Sequence, residues 1–135
     1  MGRSSIRIGS GAGFSGDRID PAVALAKSGK LDYLVFECLA ERTIARAVQS
    51  RHDDPNGGYD PLLEERLSAV LPAIVANKIT VISNMGAANP VAAARAAAAI
   101  VRKMGLGPLK IAADTGDDVL SQISADRCIH WENVS

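Results

Sequence analysis

The sequence is poor in aromatics and cysteines and carries no net charge. Two phenylalanines, two tyrosines and one tryptophan make up 4% of the chain, so the core must be built from aliphatic side chains. Fifteen basic residues cancel fifteen acidic ones, which removes any bulk attraction to nucleic acid or to an anionic membrane. No apolar run approaches the roughly 20 residues that span a bilayer. Met1-Gly2-Arg3-Ser4-Ser5 lacks the apolar segment of a signal peptide. Ile6 stands where the myristoylation pattern needs Ser or Thr. Cys38 and Cys128 are too few for a disulfide framework and lack zinc-site spacing. Cys38 ends an apolar run and reads as a buried thiol. A Ser–His–acid elbow, a Walker loop and H-E-x-x-H are all missing. These absences leave a soluble cytoplasmic protein with no nucleic-acid or membrane partner. Its 47% hydrophobic and 22% charged residues suit one folded domain over 1–125, with an unpatterned tail at 126–135.

What is present starts with Ile6-Arg7-Ile8-Gly9-Ser10-Gly11-Ala12-Gly13-Phe14-Ser15-Gly16-Asp17-Arg18. It reads as a strand over Ser5 to Gly9 running into a glycine-rich loop, where missing Cβ atoms allow positive φ and close ligand approach. Asp20-Pro21 follows as a helix start, with the Asp side chain as cap, and Gly29 as its stop. Asp32 to Glu37 is a second strand, whose unbroken apolar centre predicts burial on both faces. A helix over Ala40 to Arg51 and a polar loop over 52–59 come next. Asp60-Pro61 opens another helix, which Pro72 is expected to kink or split. Ile79 to Ser83 is a third strand, Asn89-Pro90 starts an alanine-rich helix ending at Gly105, and Leu109 to Ala113 is a fourth strand. A short helix follows near Val119 to Ser124.

The order β-α-β-α-α-β-α-β predicts a parallel sheet of about four strands with right-handed crossovers. Helices on both faces would make it a Rossmann-like three-layer α/β fold; the opening arc of a β/α barrel is the alternative. Because the helix from Asp60 must descend from the carboxyl edge, loop 52–59 is expected to return there.

Ligands of such sheets sit outside the carboxyl ends of the strands. Glycines 11, 13 and 16 satisfy G-x-G-x-x-G, with Glu37 placed 21 positions after Gly16 as a dinucleotide fold places its ribose acid. The match fails in detail, since Asp17 to Asp20 separate the glycines from the helix start. A phosphate or carboxylate held by the loop, through Gly11, Gly13, Ser15, Gly16 and Arg18, fits better. Glu37 is expected to be a general base with raised pKa and Asn84 a polarising donor. Asn89, Asp114 and Asp117 complete the candidate ligand contacts, although Asn89 also suits a helix cap. Asp17, Glu37, Asp114 and Asp117 are oxygen donors of the kind Mg²⁺ takes. Aspartates at strand ends and caps are common, so no metal is assigned, and no cofactor either.

Several phrases together resemble the N-terminal domain of the acyclic terpene utilization family. They are Ile8 to Arg18, Leu34-Val35-Phe36-Glu37-Cys38-Leu39-Ala40-Glu41-Arg42-Thr43, Gly58-Tyr59-Asp60-Pro61-Leu62-Leu63-Glu64-Glu65-Arg66, Ser83-Asn84-Met85-Gly86-Ala87-Ala88-Asn89-Pro90 and Thr115-Gly116-Asp117-Asp118. The resemblance covers roughly Ile6 to Leu120. It implies a link to bacterial breakdown of acyclic terpenes such as citronellol and geraniol, through CoA thioesters. A small anionic or CoA-linked ligand is therefore expected, with a non-catalytic partner domain as the alternative. Family members carry a longer N-terminal domain. The resemblance thus implies a fragment, with self-association or a missing C-terminal portion as its consequences.

Overall fold

The computed structural model describes residues 5–119. Three parallel strands and four helices make up this part: β1 (Ile8–Ala12), α1 (Asp20–Lys27), β2 (Tyr33–Phe36), α2 (Glu41–Asp53), α3 (Leu63–Asn77), β3 (Thr80–Ser83) and α4 (Pro90–Lys103). The strands lie in the order β1-β2-β3. Register aligns Ile8 with Tyr33 and Thr80, and Gly9 with Leu34 and Val81. No described helix is long and apolar enough to cross a membrane.

The consecutive order decides how the layers form. Right-handed crossovers that always step in one direction keep their helices on one side of the sheet. Accordingly α1 packs on α3 and α3 on α4, over the row of Gly9, Gly11, Leu34 and Phe36, all buried. The opposite row is bare: Ile8 is 66% exposed and Ile82 53%. Among the described residues the sheet is therefore two-layered, not three-layered. Tyr33 and Val35, expected to be covered by a second helix layer, are only half-buried. The sequential order is the one the barrel-arc alternative requires, and the sheet is open.

Three further expectations shift. Strand 1 spans Ile8–Ala12 in place of Ser5 to Gly9, so Gly11 joins Gly9 in the strand and is not part of the loop. Leu31 and Phe36 side chains occupy the space over those two glycines. Residues 109–113 form no strand, so among the described residues the outer edge of β3 is unpaired, with a cavity between the two segments. Helix α3 runs unbroken through Pro72. Residues 120–135 lie outside the described part, and with them Cys128, His130, the tail and all but the first residue of the helix expected from Val119.

Capping follows the sequence in part. Asn89 caps α4 by accepting from Ala92 N–H at 3.2 Å, and Pro90 takes the first turn. Pro21 does the same in α1, and Gly29 follows it at φ +65°. Asp20, however, does not cap α1; its carboxylate accepts from Arg18 instead.

Candidate functional site

The site is built where strand ends and loops tie together. Loop 54–60 does return to the carboxyl edge. Asp60 N–H donates to Met85 O at 2.8 Å, and Ala88 N–H to Gly58 O at 2.9 Å. Asn89 Nδ2 donates to Pro55 O at 3.0 Å and Gly57 O at 2.8 Å, while Arg51 Nη1 donates to Ala88 O at 2.7 Å. Asn89 is thus a tie between loops as well as a cap. Its side-chain amide donates to two backbone carbonyls and accepts from a third backbone group. Ala87, in the same turn, takes φ +44°, a conformation L residues seldom hold.

Glu37 and Asn84 are brought together from 47 residues apart: Asn84 Nδ2 donates to Glu37 Oε1 at 2.9 Å. The same carboxylate oxygen accepts from Leu39 N–H at 3.0 Å, and Asn84 Oδ1 accepts from Cys38 N–H at 2.7 Å. These bonds favour the ionised form, so Glu37 sits below its ordinary carboxylate value, first because of Asn84 and then because of Leu39. This corrects the expectation of a raised pKa. Glu37 is exposed, and the burial it does have opposes these bonds without outweighing them. Cys38 is buried, and burial pushes its thiol up to about 11, as expected of an inert core thiol.

The glycine-rich turn also differs from its sequence reading. None of Gly9, Gly11, Gly13 and Gly16 has a positive φ. Its amides are turned inward to the chain's own acid: Gly13 N–H donates to Asp17 Oδ2 at 2.9 Å, and Arg18 N–H to Asp17 Oδ1 at 2.8 Å. These two bonds, Gly13 first, hold Asp17 below the usual aspartate range. The Arg18 side chain faces outward to Asp20 and not into the turn.

Two groups beneath the turn escaped sequence reasoning. Asp60 is 6% exposed; it accepts from Ser15 Oγ and, at 2.8 Å, from Leu62 N–H. Arg66 is fully buried and donates from Nη2 to Ser15 O at 2.9 Å and Asp17 O at 3.2 Å. Its guanidinium lies 5.8 Å from the Phe36 ring centroid, a favourable cation–π placement. The signal was in the spacing. Leu63, Arg66, Val70 and Ile74 share one stripe of α3, so an arginine stands where the helix buries its apolar face.

A cavity of about 870 Å³ opens between β3, α3, α4 and residues 109–117. Leu67, Leu71, Ile79 and Val101 form apolar wall, while Asn84, Asp114, Thr115 and Asp117 stand at the strand-end side. The structure thus gathers Asn84, Asp114 and Asp117 around one space and joins Glu37 to it through Asn84. Gly13, Ser15, Gly16 and Arg18 do not line it, and Gly11 lies under Phe36. No group of three or more His, Cys, Asp or Glu among the described residues is placed to hold a metal ion.

The two depressed carboxylates set the pH dependence. A folded-state pKa below the unfolded one stabilises the fold above the unfolded value. That contribution is lost as pH falls through the folded value. With ordinary values of 3.8 for Asp17 and 4.5 for Glu37, stability from these groups is flat from pH 7 to about 5 and falls below about pH 4. Thermal midpoints measured across this range should show a shallower acid limb in Asp17→Asn than in the native chain.

The family described as acyclic terpene utilisation family protein AtuA matches residues 6–133. The match continues past Leu120, where the motif resemblance stopped, and includes the stretch from Ser121. No curated protein and no solved structure matches the chain.

Proposed function

The chain belongs to the acyclic terpene utilisation family, and from that premise we propose that it binds an acyclic terpenoid intermediate at the carboxyl edge of its sheet. The branched hydrocarbon occupies the cavity, where each buried methylene contributes about 0.8 kcal/mol. The oxygenated end comes to Asn84. The supporting observation is the cavity itself: largely aliphatic walls with a few polar groups among them, Asn84, Asp114, Thr115 and Asp117 included, the usual make-up of a small-molecule site.

The polar end selects among the ligands the sequence suggested. Asp114 and Asp117 stand at the rim, and Glu37 is held ionised beside it. Asp114, Asp117 and Glu37 together outnumber the one cation lining the cavity among the described residues, Lys110, so a neutral thioester carbonyl or hydroxyl is favoured over a free carboxylate. Asn84 gives one amide hydrogen to Glu37 and has a second for a ligand oxygen. In this reading Asn84 is the polarising donor, and Glu37 is a positioning residue that fixes the amide's orientation, in place of a general base.

Calorimetric titration with a branched ten-carbon acyl-CoA, the free acid and CoA alone tests the reading. The acyl-CoA is expected to bind at least about tenfold more tightly than CoA, and Ala97→Trp, which fills the cavity from α4, to abolish the difference. Equal affinities, or binding indifferent to Ala97→Trp, would overturn it. A second reading, a non-catalytic domain, is favoured by the bare sheet face of Ile8 and Ile82. It predicts no heat with any of the three compounds.

A further inference from the structure

The least explained group in the molecule is Arg66. Its side chain is fully buried, yet Nε and Nη1 have no hydrogen-bond partner. Among the described residues it pairs with no carboxylate. A buried guanidinium keeps its charge, and buried charges are ordinarily paired or hydrogen-bonded. Nη2 holds the carbonyls of Ser15 and Asp17, so the cation lies directly beneath the glycine-rich turn. On the outer side of that turn, Gly13 N–H and Arg18 N–H are both given to the Asp17 carboxylate.

We propose that the turn and Arg66 form a binding site for a phosphate group, currently filled on its outer side by the chain's own Asp17. Each Asp17 oxygen accepts from one amide, and among the described residues neither comes within ion-pair distance of the guanidinium below. A phosphate has enough oxygens to take both amides and also reach toward the unpartnered guanidinium nitrogens. Gly13 is exposed, and a Cβ there would meet nothing nearer than Asp17 Oδ2 at 3.9 Å, so the approach is open once that carboxylate swings away. Neither Arg66 nor Asp17 lines the cavity, and the site does not depend on what the cavity binds.

The test uses inorganic phosphate, followed by the Arg66 Nε–H resonance and by calorimetry, with chloride at matched ionic strength as control. A saturable shift in phosphate but not in chloride is expected. Asp17→Asn, which removes the competing charge, should tighten phosphate binding about tenfold. Arg66→Met, checked for its fold by circular dichroism, should abolish the response, and Ala97→Trp should leave it unchanged. An unmoved resonance, an Asp17→Asn variant no tighter than the native chain, or a folded Arg66→Met variant that binds equally well would each overturn the site.

Discussion

Arg66→Ala is expected to lower the free energy of unfolding by about 2–5 kcal/mol, while Arg66→Met stays within about 1 kcal/mol of the native chain. Both variants lose the hydrogen bonds to Ser15 O and Asp17 O. Both also remove two buried nitrogens that have no partner, which is a gain of the kind seen when buried charges give way to apolar groups. The difference is volume. Arg66 is the largest fully buried side chain among the described residues, lying near the Phe36 ring on the buried stripe of α3, and alanine leaves that space empty. Methionine is flexible enough to refill it. Urea unfolding of the two variants separates the contributions. If methionine proves as damaging as alanine, the two bonds to the turn outweigh the packing, and Arg66 is chiefly a clamp on the loop above it.

Much of the frame could be read from local chemistry. Asn89-Pro90 starts α4, Pro21 lies in the first turn of α1, and Gly29 ends it, because caps and terminators act within a few residues of themselves. The return of the loop expected over 52–59 to the strand ends followed from direction alone. What failed needed information that no short stretch holds. Tyr33-Leu34-Val35-Phe36 is apolar on both rows whether one face is covered or two. The number of layers depends on whether successive crossovers reverse, and here they do not. The depressed acidity of Glu37 comes from Asn84, 47 positions away. Asp17 was legible as an acid near glycines, but that it would take the amides offered to a ligand depends on the turn's shape. Arg66 is visible in the sequence as an arginine on the apolar stripe of α3, but its place beneath the glycine-rich turn depends on contacts with residues 51 and 49 positions away.

Gly11→Val is expected to cost about 3 kcal/mol, whereas Gly13→Ala should lie within about 0.5 kcal/mol of the native chain. The sequence presents these glycines as equivalent members of one loop, and their surroundings separate them. A Cβ on Gly11 would lie 2.6 Å from Phe36 Cε1 and under 3 Å from two more ring atoms. Phe36 has no exposed surface, and its ring faces the Arg66 guanidinium, so it has little room to retreat. Valine adds two further carbons at the same place, forcing the ring off its rotamer or β1 away from β2. Gly13 meets ordinary van der Waals distance at its nearest neighbour. Gly11 is therefore required by the core, because β1 must leave space for an aromatic ring from the next strand. Gly13 carries no such constraint, since a Cβ there meets nothing nearer than 3.9 Å. Denaturant midpoints for the two variants, compared at unchanged slope, decide the matter. Equal losses at both positions would mean that backbone flexibility of the whole run, and not the Phe36 contact, is what these glycines supply.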